Sequence, residues 1–354
     1  MTAANANAAV SRPAQPVHRV RCEVDLAPNG RSVGYLRAPL SRNTSGWGVV
    51  MIPIVVVSAG AGPTVLLTAG VHGDEYEGQV ALSEFARRLD PGMVQGRVII
   101  LPALNLPAVE AATRLSPIDQ RDLNRCFPGR RDGTFSEMLA DFVTTELLPL
   151  VDVSIDLHTA GHSMEAAPST NMHVLDDAER LARTLRLAEA FGAPFNVLFR
   201  GVDEGGTLTS AVEARGILSL GTELGGWGRV SVQGMRIARR GIIGALRHLG
   251  VLDPKARVFD REFGEAATPT RHMIVPSPDF YLTAPADGVF EPAHLAGTVV
   301  NAGECAGWLH AVTDLDRAPI AVHYTASGVL WMAAGPGRVR RGDVVAVVMQ
   351  PYEG

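Results

Sequence analysis

Lysine is almost absent from this 354-residue chain: Lys255, in the loop-like segment LDPKAR, stands alone, and arginine carries nearly all the positive charge. A Schiff-base lysine or a carrier lysine would have to be Lys255. Cysteine is scarce too. Cys22, Cys126 and Cys305 lie far apart, with no C-x-x-C spacing of a zinc knuckle or a redox pair, which suits a reducing, cytoplasmic setting. No basic excess exists, since 32 Lys and Arg face 37 Asp and Glu for a net charge of -5, so the electrostatic footprint of a nucleic-acid binder is missing. No apolar run reaches the ~18 residues that span a bilayer. The opening sixteen residues, MTAANANAAVSRPAQP, hold no continuous apolar stretch and read as a disordered start, not a signal peptide. Nucleic acid and membrane are not expected as partners; a small molecule is.

What the chain does have is alternation. GWGVVMIPIVVV reads as a strand, AGAGP as a turn, and Thr64 to Val71 as a second buried strand. YEGQVALSEFARRL then carries apolar residues at helical spacing. RVIILPALN, VSIDLHTA and GILSLGTELGG read as further strands, and SEMLADFVTTELLPLV, AERLARTLRLAEAFG and GMRIARRGIIGALRHLG as helices. Such a pattern predicts an α/β fold, a mixed sheet flanked by helices. After about Pro269 the helical pattern stops. ADGVF at Ala286 is faintly repeated by ASGVL at Ala326, which predicts a small C-terminal all-β domain of barrel-sandwich type. Its outline is that of a biotinyl or lipoyl carrier, but it contains no lysine, so a wall or cap is expected instead. The expected organisation is residues 1–16 disordered, 17–268 the main domain and 269–354 the β domain.

Sites in sheets of this kind lie beyond the carboxyl ends of the strands. His72 and Glu75 follow one predicted strand, Asp156 and His158 end another, and Glu223 ends a third. Taken singly, His72 could cap a helix and His158 could be a core histidine. Taken together, buried acids and imidazoles at consecutive strand ends cost desolvation unless a metal or a substrate offsets it. His72 and Glu75 are separated by two residues in a tight turn, and His158 offers a third donor, the number a catalytic zinc takes. Asp156 points to the same side of its strand as His158 and could orient it. Glu223, in a glycine-rich strand end, has room to act as a general base. The stretch TRLSPIDQRDLNRCFPG brings Arg114, Arg121, Asn124 and Arg125 into one long loop, either to grip a carboxylate or to pair with Asp119 and Asp122 on the surface.

HGDEYEG, DLNRCFPG, DLHTAG and GTELGG, in this order and spacing, resemble the succinylglutamate desuccinylase and aspartoacylase family, a branch of the zinc carboxypeptidase-like fold. The resemblance covers about residues 53–249, and the β-rich tail has a counterpart there. It implies one zinc per chain on His72, Glu75 and His158, with Glu223 taking a proton from the attacking water. It also implies that Asn124 and Arg125 hold the substrate carboxylate and that Arg114 polarises the scissile carbonyl, a role for which Arg121 competes. GYLRAPLSRNTSGWGVVMIPIVVV with GVHGDEYEGQVAL is similar to the branch that removes acetate from N2-acetyl-L-2,4-diaminobutyrate in ectoine degradation. The expected partner is thus a small N-acyl amino acid. Asp74, Glu77, Asp203 and Glu204 are candidates to receive its ammonium, and FRGVDEGGTLTSA is the expected specificity loop. Two rival readings are a deacylase for a dicarboxylic N-acyl amino acid, with Arg200 or Arg215 as the extra cation, and a carboxypeptidase. A third is a non-catalytic binding protein. A homodimer is compatible with the sequence, which leaves assembly open.

Overall fold

The computed structural model describes residues 17–200, 205–256, 259 and 269–354; the opening sixteen residues and the expected domain end at 268 lie outside them. Eleven strands carry the argument: β1 (Gly30–Arg42), β2 (Ser45–Ala59), β3 (Thr64–Ala69), β4 (Gly96–Leu101), β5 (Val153–Leu157), β6 (Ser169–His173), β7 (Phe195–Phe199), β8 (Leu218–Glu223), β9 (Arg271–Val275), β10 (Gly328–Ala334) and β11 (Val344–Pro351). They run side by side in one sheet in the order β1-β2-β4-β3-β5-β8-β6-β7-β9-β11-β10. The centre, β4-β3-β5-β8, is parallel, and its strands are nearly continuous apolar runs because both faces are covered.

The cover comes from α1 (Tyr76–Arg88), α2 (Leu106–Ala111), α3 (Phe135–Phe142), α4 (Ala178–Phe191), α5 (Leu208–Glu213) and α6 (Val232–His248). Val65 and Leu67 of β3 pack with Leu82 and Phe85 of α1, Phe191 of α4 and Ile242 of α6. Leu66, one residue out of phase, joins Phe135 and Leu139 of α3 and Val212 of α5 on the opposite face. Period-two alternation thus sorts one strand between two cores. Gly78 lets α1 lie directly on β5, since a Cβ there would press on Leu157.

One expected helix is shorter than the sequence suggests. SEMLADFVTTELLPLV begins as α3, opened by a Thr134/Glu137 capping box, but regular helix ends at Phe142. The chain continues as a wider turn over Val143–Leu147 and a tight one over Leu148–Leu150. Pro149 accounts for this, because it lacks the N–H and its ring crowds the carbonyl four residues earlier.

At the C-terminal end a second, antiparallel sheet holds Gly288–Pro292, Cys305–His310, Ile320–His323 and Arg338–Val339. Phe290, Leu309 and Val322 pack against Leu330 of β10 and Val345 of β11, so the two sheets form a sandwich. The repeated segments ADGVF and ASGVL feed opposite sheets of it. This region also belongs to the main sheet: β9 pairs with β7, and the strand Met164–Ala166 pairs with β10. No helix among the described residues is long and apolar enough to cross a membrane.

Candidate active site

Beyond the end of β3 the chain turns sharply into α1, and the turn requires a glycine. A Cβ on Gly73 would sit on the Ala108 carbonyl, while its N–H donates to the Thr113 carbonyl at 2.9 Å. That packing holds His72 and Glu75 at the strand end. Glu75 occupies the N-cap of α1 but gives the helix no side-chain hydrogen bond. Its carboxylate lies between two imidazoles, with Oε1 2.7 Å from His72 Nδ1 and Oε2 2.7 Å from His158 Nδ1. The Thr159 N–H also donates to Oε2.

Each imidazole is backed by a second acid. His72 Nε2 lies 3.0 Å from Asp122 Oδ1, and His158 Nε2 lies 2.7 Å from Asp156 Oδ2. Asp156 is fixed in turn by the Thr68 hydroxyl at 2.6 Å. All of these groups except the half-buried Asp122 are buried. Burial works against the charge on His72, but attraction to Glu75 and the hydrogen bonds its ring donates to Asp122 and Glu75 outweigh it and raise its pKa. The same balance raises His158 well above its ordinary value, with Asp156 and Glu75 as the opposing charges. Glu75 resists its own burial because both imidazoles hold its pKa far down.

The donor set suits a divalent cation. Ligand atoms of His72, Glu75 and His158 all lie within 4.8 Å of one another, and the nitrogens facing away from Glu75 are held by carboxylates, as metal-bound histidines usually are. A mixed nitrogen and oxygen set of this kind is what zinc takes in hydrolytic sites.

Glu223, at the end of β8, faces this group across a crevice of about 280 Å³. Its Oε2 is enclosed without a hydrogen-bond partner among the described residues. Burial, then the Glu75 charge, push its pKa up to about 8. Arg114 spans the rim: it pairs with Asp122 at 3.0 Å, and its Nη1 lies 3.9 Å from Glu75 Oε1. Asn124 and Arg125 line the same crevice. Asn124 Oδ1 accepts from the Leu208 N–H, which leaves its amino end to donate, and Arg125 Nη1 donates to the Asn124 carbonyl.

With this geometry in place, comparison with known proteins is decisive. Residues 61–249 match the succinylglutamate desuccinylase/aspartoacylase catalytic domain. The chain belongs to the succinylglutamate desuccinylase/aspartoacylase family. An N-alpha-acetyl-L-2,4-diaminobutyric acid deacetylase of Halomonas elongata is 38% identical over 334 residues, covering 94% of this chain and 96% of that protein. A succinylglutamate desuccinylase/aspartoacylase from Rhodobacter sphaeroides is 58% identical with a TM-score of 0.89, covering 95% of this chain and 100% of that one. The product-bound ectoine utilization protein EutE (DoeB) of Ruegeria pomeroyi is 36% identical, also with a TM-score of 0.89 and the same coverage. As a member of this family the chain is a hydrolase acting on amide bonds.

Several residues singled out in the sequence do not reach the crevice of this family member. Arg121 points away from it and pairs with Glu137 at 3.4 Å, so of the two competing arginines only Arg114 faces the histidines. Asp74 and Glu77 are buried behind the site, where Asp74 accepts from the His162 N–H and Glu77 from the Ser231 N–H and hydroxyl. Neither is available to a substrate ammonium. Arg200 and Arg215 are not among the lining residues, and Asp203 and Glu204 lie outside the described ones.

Other residues at the site were missed. Asp122 mirrors Asp156 on the other histidine; its place at the head of DLNRCFPG was the available signal. Trp331 and Met332 of β10 line the crevice although they lie more than a hundred residues beyond Glu223. Nothing local in the sequence marks them.

Proposed function

We propose that this chain is a zinc-dependent deacetylase that hydrolyses N2-acetyl-L-2,4-diaminobutyrate to acetate and L-2,4-diaminobutyrate. The reading is carried by one observation: the Glu75 carboxylate joins two imidazoles that are each backed by a second acid, opposite a Glu223 carboxylate with an unpartnered oxygen. The substrate assignment is supported by the Halomonas elongata deacetylase and by the ectoine utilization protein. The crevice adds to it. Arg114 and Arg125 are the only arginines among its described lining residues, so with both engaged as below, none remains for a second substrate carboxylate.

His72, Glu75 and His158 would hold one zinc per chain, which when bound supplies Lewis-acid polarisation of the acyl carbonyl and activation of water. The chain's own residues do the rest. Glu223, which faces the triad with one carboxylate oxygen unpartnered, takes a proton from the attacking water and returns it to the leaving amine. Arg114, held on Asp122, stands where charge develops on the carbonyl oxygen. Asn124 and Arg125 bind the α-carboxylate and orient the amide; Asp122 and Asp156 fix the imidazole rings. The three cysteines are free thiols, which favours a cytoplasmic enzyme.

Acetate release from N2-acetyl-L-2,4-diaminobutyrate, its N4-acetyl isomer, N-acetyl-L-aspartate and N-succinyl-L-glutamate tests this directly. The N2-acetyl compound should be preferred, and Glu223→Gln should lower its turnover by about 10²- to 10⁴-fold. Preference for a dicarboxylic substrate, with release of acetate or succinate, would overturn the substrate assignment.

A further inference from the structure

Gly221 lies two residues before Glu223 on β8, so both face the crevice. Its cross-strand partner is Asn171 of β6. A Cβ on Gly221 would collide with the Asn171 amide, which is laid over bare backbone and lines the crevice beside the base. Among the described residues the half-buried Asn171 side chain makes no hydrogen bond to protein, so its amide is open to the crevice it lines. Aromatic rings accompany it. His173, two residues on along the same strand face, meets the Phe199 ring edge-on at 6.4 Å, and Phe199 lies 5.4 Å from Trp331.

We propose that Asn171 reads the side chain of the amino-acid half of the substrate, its amide oxygen accepting a hydrogen bond from the terminal ammonium beside Phe199 and Trp331. The assignment rests on the deacetylase reading above. An amide seated on Gly221 can present its oxygen by a simple turn, and aromatic faces add attraction for an ammonium. The aromatic faces, unlike the amide, would not pair with a second carboxylate of a dicarboxylic substrate. Asn171 therefore acts as a specificity residue, and Gly221 supplies its seat.

The test compares N2-acetyl-L-2,4-diaminobutyrate with N-acetyl-L-2-aminobutyrate, which differs only in lacking the terminal amine. N-acetyl-L-aspartate is run as a third substrate. Wild type, Asn171→Leu and Asn171→Asp are assayed for kcat/KM, with melting temperatures to establish that each variant is folded. Loss of a hydrogen bond to a charged group predicts that Asn171→Leu loses about ten- to a hundredfold on the amine-bearing substrate. The aminobutyrate should change by less than about threefold, and Asn171→Asp should keep the preference for the amine. If wild type prefers the amine and Asn171→Leu leaves the ratio of the two substrates unchanged, the assignment to Asn171 is overturned while the deacetylase reading stands. That result is expected if an acid at 203 or 204 receives the ammonium. If wild type prefers N-acetyl-L-aspartate, the substrate reading falls, and the ammonium assignment with it.

Discussion

Glu75 gives up one task for another. It stands where a serine or aspartate would cap α1, a contribution of about 1 kcal/mol, yet its carboxylate is turned onto His72 and His158 instead. Glu223 shows the same tension between stability and chemistry. In metal-free protein its carboxyl is pushed up to about 8 by burial and by Glu75, whereas in the unfolded chain it ionises near ~4.3. Between those values the folded state holds a proton that the unfolded state has lost, so this group's contribution to stability falls as pH rises. Glu223→Gln removes the penalty: the melting temperature of the metal-free variant should gain on wild type from pH 5 to pH 8. A difference independent of pH would contradict the assignment. Asp122 and Asp156 do parallel work, so Asp122→Asn and Asp156→Asn should each weaken zinc binding by about 10- to 100-fold without unfolding the chain. Competition with a chelating indicator measures this, and unchanged affinity in both would show that the acids do not orient the rings. In the sequence His72, Glu75, His158, Glu223 and Asp156 were legible because each sits where an apolar strand stops. Asp122 was less so, because a loop acid beside arginines looks like any surface ion pair.

At the scale of elements, legibility followed burial. β3, β5 and β8 are short apolar runs and α1, α4 and α6 carry one apolar stripe each, so their period survives in the sequence. β6, with the sequence STNMH, has no such signal; it is a strand because β8 and β7 pair with it on either side, a tertiary effect that local propensity does not contain. Yet β6 carries Asn171 and His173 into the crevice, so what was least legible bears on specificity. The turn between β3 and α1 is the opposite case. HGDE is legible as a motif because the fold leaves no space for a side chain at Gly73. Gly73→Ala should destabilise the protein by about 1–3 kcal/mol through the forced shift against Ala108. It should also weaken metal binding, since His72 and Glu75 flank the displaced residue. Denaturant melts with and without zinc would register both effects, and a variant with wild-type zinc stabilisation would mean that the turn does not position the ligands.

For the whole molecule, the C-terminal β region acts as a wall of the site. Met164–Ala166, just past DLHTAG, is paired with β10, and the Trp331 indole donates to the Ser169 hydroxyl at 3.0 Å. The missing lysine made a wall the better expectation than a carrier arm. That β9, β10 and β11 would extend the main sheet was not legible, since pairing over such sequence distances leaves no local trace. Two distant parts of the chain thus enclose one crevice, with His72, Glu75 and His158 at one side and Trp331 and Met332 at another. The account stands on a metal held by that triad. Its most direct test is acetate release from N2-acetyl-L-2,4-diaminobutyrate by chelator-stripped protein as zinc is titrated back, for wild type and His158→Ala. The account predicts negligible release without metal, recovery complete at one zinc per chain, and no recovery in the variant. Full activity in the stripped enzyme, or equal recovery by His158→Ala, would contradict it.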